Sequence, residues 1–282
     1  MSTPTPLIVN LAPTGMVPTR ALSAHVPLRP EEIVRDVLAC AEVGISSAHL
    51  HARDDDGHPS HRKEVYARII GGIRDRRPDL VLCVSCSGRN GASLDQRAEV
   101  LTLPDDLRPD MASLTLSSLN FASGASLNAP DIVTGLAARM KEHGVRPELE
   151  VFDLGMANYL GFLAARGLIE PPFYANILLG NVASAQASFL EIGALTAALP
   201  KDMLFSLGGI GATQLPVAAM AAAAAPGLRI GLEDNLWFDA ARRHPASNAG
   251  LIERAHSLAA AVGRAVMSPR ELRERLGLPR RG

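Results

Sequence analysis

His49 and His51, one residue apart in the run SAHLHAR, are the side chains of this 282-residue chain with the clearest chemical potential. On a strand, alternate side chains share a face, so the two imidazoles stand side by side and suit adjacent vertices of a metal's coordination shell. Zinc is the first ion to consider, with other divalent metals open, because imidazole plus one carboxylate is a common catalytic set that keeps a position free for water or substrate. Glu233, in LRIGLED, has the face and the strand end to complete the set. The alternative is a pair of internal histidines hydrogen-bonded to Glu148, Glu150 or Glu233. The remaining histidines offer less. His58 and His61 follow an acidic turn, DDDGHPSH, that reads as solvated; His25 lies on a long loop with reach to the same mouth; His143, His244 and His256 read as surface residues.

The elements that must position this pair recur along the chain as a short apolar run, a polar turn and a segment with helical spacing. Strands are expected at 7–13, 47–53, 80–87, 111–118, 147–153, 174–180, 203–209 and 228–233. Helices are expected at 30–44, 62–76, 93–100, 129–143, 155–166, 185–198, 212–224 and 247–263, with a short tail helix from Ser268. Pro30, Glu31 and Glu32 give the first helix a proline and acid at its positive end, and Gly44 a stop. Strict alternation implies a parallel sheet, and the count of eight favours a closed (β/α)8 TIM barrel spanning 1–282 as one domain. An open dinucleotide-binding sheet would want G-x-G-x-x-G after the first strand, where the chain has Pro13, Thr14, Gly15, Met16. GGIGA at 208–212 reads as a close turn; by analogy with barrel phosphate sites, the backbone around Gly209 and Gly211 is also a candidate anion nest.

Alternation also sorts faces. His49, His51 and Arg53 fall opposite Ala48, Leu50 and Ala52; Ser113, Thr115 and Ser117 opposite Leu114 and Leu116; Glu148 and Glu150 opposite Leu149 and Val151; Arg229, Gly231 and Glu233 opposite Leu228, Ile230 and Leu232. The apolar set must meet the helices, so the polar set lines the lumen, where charge is costly unless it pairs or binds something. In this fold the chemistry gathers at the carboxyl ends of the strands, where His51, Ser87, Ser117, Glu150 and Glu233 fall.

Composition excludes other classes. With 28 basic and 29 acidic residues the net charge is -1, which favours neither nucleic acid nor an anionic membrane as partner. No apolar run approaches the roughly 20 residues of a membrane span, and no leader peptide is recognisable, so a cytoplasmic enzyme is expected. Cys83 and Cys86 mimic a C-x-x-C motif, but on a strand an offset of three sends them to opposite faces.

The runs NLAPTG, VPLRPEEI, GISSAHLHARDDDG, RPELEVFDLGM, RIGLEDNLW and SNAGLIERA together resemble the beta-keto acid cleavage enzymes over nearly the whole chain. The resemblance implies a zinc-dependent barrel, a homo-oligomer (dimer or tetramer), that condenses a beta-keto acid with acetyl-CoA to give acetoacetate and an acyl-CoA. By position it implies His49, His51 and Glu233 as metal ligands, Asp234 as the base, Arg229 as its guanidinium support and Ser85 as a site hydroxyl, with Glu148 or Glu150 as the fifth-strand acid. Two departures stand out. Met16 and Val17 follow Gly15 where the family's type member carries an acid suited to an ammonium, and Ser85 to Asn90 read SCSGRN. Arg89 and Arg20 are then candidates for a second carboxylate or the CoA phosphates, or plain loop arginines. Two rivals are a metal-dependent amidohydrolase, which wants His-x-His on the first strand and further histidines on the fifth and sixth, and a non-catalytic metal-binding barrel, which Asp234 beside Glu233 argues against.

Overall fold

Short runs whose helix-facing residues are all apolar, each followed by an amphipathic segment, can bury both sets only by layering helices outside a parallel sheet. The computed structural model describes residues 5–281 in that arrangement. In chain order β1 (Ile8–Leu11) leads to α1 (Pro30–Val43), and β2 (Ser47–Leu50) to a ribbon of β3 (Ala52–Arg53) and β4 (Pro59–Ser60), then to α2 (Lys63–Arg74). β5 (Val81–Val84) is followed by the short α3 (Leu94–Ala98). β6 (Met111–Thr115) is followed by a second ribbon, β7 (Leu119–Phe121) and β8 (Gly124–Ser126), and by α4 (Pro130–Glu142). Four plain units complete the set: β9 (Arg146–Val151) with α5 (Leu154–Ala165), β10 (Tyr174–Leu179) with α6 (Phe189–Ala198), β11 (Leu204–Gly209) with α7 (Gln214–Ala224), and β12 (Gly227–Ile230) with α8 (Asn248–Ala261). α9 (Pro269–Leu276) follows.

β1, β2, β5, β6, β9, β10, β11 and β12 close in that order into a parallel barrel, with β1 pairing both β2 and β12. Val9, Leu11, Ala48, Leu50, Leu82, Leu114, Leu149 and Leu228 face the helices in one continuous core. No helix among the described residues is long and apolar enough to cross a membrane.

The lumen is closed at the amino ends of the strands by the tail helix. Leu272 and Leu276 of α9, with Met267, pack on Ile8, Val81, Met111 and Tyr174. Ser268 caps that helix by accepting from the Glu271 amide at 3.2 Å. Arg273 pins it, making two 2.8 Å bonds to the buried Asp110 carboxylate and donating to the carbonyls of Asp79 and Leu80 at 2.6 and 2.9 Å. Removing one partner of a buried pair costs about 3–5 kcal/mol. Asp110 would keep Arg281 at 3.4 Å and Arg74 at 3.7 Å, so the low end applies. Arg273→Met is expected to lower unfolding free energy by about 3 kcal/mol in urea titration, and a loss below about 1 kcal/mol would contradict this role.

The chain departs from expectation in several places: the strands expected to reach 87 and 233 end at Val84 and Ile230, which leaves Glu233 in the turn beyond β12, and the helix expected from 185 begins at Phe189. The run 47–53 is not one strand: β2 ends at Leu50 and Ala52–Arg53 pairs antiparallel with Pro59–Ser60. The helix expected at 93–100 is the short α3 followed by a 3-10 turn at Glu99–Thr102. The strand expected to reach 118 ends at Thr115, and the ribbon β7–β8 beyond it has no counterpart in the expected pattern.

Candidate active site

The two histidines do turn into the lumen, at different depths. His49 is 1% exposed, and its Nδ1 meets the Glu148 carboxylate at 2.5 Å. Glu148 is fixed in turn by Asn10 Nδ2 at 2.9 Å and the Cys83 thiol at 3.2 Å. This arrangement aims His49 Nε2 at His51 Nε2, 3.3 Å away, and His51 Nε2 lies 3.3 Å from Glu233 Oε1. Ligand bonds of about 2.0–2.1 Å in a tetrahedral shell give ligand-to-ligand edges of roughly 3.3 Å, so the three groups fit one cation. The other Glu233 oxygen, Oε2, is buried with no hydrogen-bond partner among the described residues, as a ligand position requires. Gly15, at φ +66, backs this carboxylate: a Cβ there would come within 2.6 Å of Glu233 Cγ. Cys83, His49 and Glu148 form an overlapping donor set deeper in the lumen. Cys86 lies in the outer core, so the two cysteines do face opposite ways.

Arg229, on β12, binds the two acids of the turn that follows that strand. Its Nη2 donates to Glu233 Oε1 at 2.7 Å, and its Nε and Nη2 donate to Asp234 at 2.9 and 3.2 Å. Nη1 has no hydrogen bond and stands 3.9 Å from Glu150. Thr115 Oγ1 donates to Glu150 at 2.5 Å. The two fifth-strand acids thus separate: Glu150 borders the open cavity and Glu148 is sealed behind His49.

These contacts set the charges. Burial alone would lower the His49 pKa, but Glu148 outweighs it and holds His49 at about 9. Burial would likewise raise Glu148, and His49 reverses this, to about 2. The pair is therefore ionic, and Nε2 must release its proton to serve as a ligand. Burial lowers His51, which favours the neutral imidazole. Glu233, despite burial, is held well below the carboxylate range by Arg229 and the two histidines. Asp234 is raised by burial, against the pull of Arg229, with Glu233 adding repulsion.

A cavity of about 430 Å³ opens above these groups, lined by His51, Ser85, Glu150, Arg229, Glu233 and Asp234 on its polar side. Met16, Val17, Ser87 and Arg89 also line it, as do Leu119 and Phe121 of the ribbon. Other expected residues lie elsewhere. Ser117 is exposed and its hydroxyl donates to the Ser118 carbonyl, away from the cavity lining, and His25 is exposed. Arg20 pairs with Glu32 at 2.5 Å on the surface. The Gly209 to Gly211 turn offers no free nest: Gly211 N–H donates to the Asp234 carbonyl at 2.7 Å and Ile210 N–H to Leu179 at 2.9 Å. Its glycines instead allow close packing, since a Cβ on Gly209 would fall 2.4 Å from the Thr213 carbonyl oxygen. Arg53 leaves the lumen to tie the first loop, donating to the carbonyls of Gly15, Pro18 and Gly57. The reading of faces passed over Asn10, whose only signal was a polar residue inside the apolar run LIVNL.

The sequence signature of the beta-keto acid cleavage enzymes matches residues 6–278. The chain belongs to that family. This beta-keto acid cleavage enzyme is 33% identical over 274 residues to a 3-keto-5-aminohexanoate cleavage enzyme of Acetoanaerobium sticklandii, covering 96% of this chain and 98% of that protein. It is 35% identical over 277 residues to a 3-oxoadipate:acetyl-CoA acetyltransferase of Cupriavidus necator, covering 97% and 95%. The structure of ObcA superposes with a TM-score of 0.80 at 22% identity, over 91% of this chain and 66% of that one, which supports the barrel fold. Family membership removes the amidohydrolase and the non-catalytic barrel as readings.

Proposed function

We propose that the enzyme condenses a beta-keto acid with acetyl-CoA, giving acetoacetate and a new acyl-CoA, with zinc held by His49, His51 and Glu233. The observation that carries this reading is the convergence of those three ligand atoms within 4.8 Å of one another, beside an aspartate clasped by Arg229. Bound there, a divalent metal would act as a Lewis acid toward the substrate's keto and carboxylate oxygens.

The chain's own groups do the rest. Asp234 takes a proton from the carbon between ketone and carboxylate, and its raised pKa makes it a better base than an ordinary aspartate. Arg229 orients Asp234 and keeps one donor, Nη1, for charge developing on a substrate oxygen. The deprotonated carbon bonds the acetyl carbonyl carbon and CoA leaves as the thiolate. The thiolate then attacks the original ketone, the bond from that ketone to the central carbon breaks, and Asp234 returns the proton. Ser85 offers a hydroxyl to substrate oxygens, and Glu150 steadies Arg229 from the far side. The outer surface favours a homo-oligomer: α6 buries only Leu195, and Phe189 and Leu190 are 83% and 82% exposed.

Incubation with a beta-keto acid and acetyl-labelled acetyl-CoA tests the reaction. The label should appear in acetoacetate, in amounts equal to the new acyl-CoA. Chelation should abolish turnover and added zinc restore it. Label retained in a thioester, or turnover indifferent to chelation, would contradict the proposal.

A further inference from the structure

Arg89 is the cavity's other cation. It follows β5, and its guanidinium carbon lies 3.6 Å from the centre of the Phe121 ring. It lines the same cavity as Asp234 and Glu233, yet makes no ion pair or side-chain hydrogen bond with any described residue. Arg229, by contrast, is committed to Glu233 and Asp234, the two acids of the turn after β12. Glu150, Glu233 and Asp234 act on it only from a distance, so a partly buried guanidinium is left with no carboxylate on its fork, which matches one through two parallel hydrogen bonds. Met16, Val17, Leu119, Phe152 and Leu178 give the same cavity an apolar part of its lining.

We infer that Arg89 is a specificity-determining residue for the second carboxylate of a beta-keto dicarboxylic acid. This rests on the reaction proposed above. The keto acid end occupies the pole formed by His51, Glu233 and Asp234, methylene groups cross the apolar lining, and the distal carboxylate meets Arg89. Phe121, by stacking on the guanidinium, limits its rotation and keeps the fork aimed into the cavity. The CoA phosphates are the competing source of anionic oxygen. They sit at the far end of the long pantetheine arm from the thioester, whereas Arg89 shares a cavity of about 430 Å³ with the reacting pole, room for a compact acid. Apolar Met16 and Val17 offer nothing to a substrate ammonium.

The test compares a straight-chain beta-keto diacid with the beta-keto monoacid of equal length, at varied acetyl-CoA, using the metal-loaded enzyme and its Arg89→Gln and Arg89→Lys variants. A charge-assisted pair predicts that the wild type prefers the diacid by about 10-fold or more in kcat/KM. Arg89→Gln should shrink the diacid-to-monoacid ratio by about 10–100-fold, without a matching rise in the KM for acetyl-CoA. Arg89→Lys should recover part of the preference, which separates a charge effect from a packing defect. A wild type that turns over the monoacid as well as the diacid overturns the inference while leaving the reaction standing. So does an Arg89→Gln variant whose KM for acetyl-CoA rises alike with both substrates, since that assigns the cation to CoA. Failure to cleave any beta-keto acid would instead remove the reaction itself, and this inference with it.

Discussion

Asp234→Asn is expected to lower kcat by about 10²–10⁴-fold while leaving metal content unchanged. The side chain is nearly isosteric and its amide oxygen can still accept from Arg229 Nε, now 2.9 Å from the carboxylate, so Arg229 and through it Glu233 should keep their places. What is lost is the capacity to take a proton. The raised pKa sharpens the expectation, because burial and the neighbouring Glu233 make Asp234 better able to hold a proton than an ordinary aspartate, whereas Glu233 is held far below the range. Steady-state kinetics with parallel metal analysis check it. A variant of full activity would remove Asp234 as the base, and one that loses its metal would show that it acts instead through Glu233.

His49→Ala is expected to lose both the metal and turnover, with kcat down by about 10³-fold or more, the scale of several kcal/mol of Lewis-acid stabilisation. The substitution also strips Glu148 of the cation that holds its pKa near 2, so the fold should weaken too. Glu148→Gln separates the two effects. It keeps the imidazole but replaces the carboxylate that orients its Nδ1 at 2.5 Å, and partners of this kind cost about 10–100-fold in metal affinity. Metal titration of both variants, with thermal melts alongside, decides the matter: a His49→Ala protein that still binds one equivalent tightly would contradict the ligand assignment.

Much of this could be read before any coordinates. The barrel was legible because its helix-facing set, such as Leu50, Leu114, Leu149 and Leu228, is unbrokenly apolar, so the polar alternates had to face the lumen. That parity turns His49 and Arg229 into the lumen, whereas His51 and Glu233 sit just past the ends of β2 and β12 and border the cavity from there. Parity could not give depth. Glu148 and Glu150 share a face, yet two residues of strand are roughly 6.6 Å, enough to seal one behind His49 and leave the other on the cavity wall. The ribbons β3–β4 and β7–β8 were invisible because strands of two or three residues carry no period, and with them went Phe121. The glycine turn at 208–212 misled for a different reason. Whether a backbone N–H is free depends on what else approaches it, and the Asp234 carbonyl that claims Gly211 comes from the next strand's loop. Arg53 has the parity of the histidines, but the chain leaves the sheet before it and its side chain follows the loop.

X-ray absorption at the zinc edge of the loaded enzyme tests the central claim most directly. The account predicts a first shell of two imidazole nitrogens at about 2.0–2.1 Å with carboxylate oxygen at about 2.0–2.2 Å and no sulfur. A sulfur scatterer at about 2.3 Å would place the ion instead in the deeper set with Cys83, and the site built on His51 and Glu233 would then be wrong.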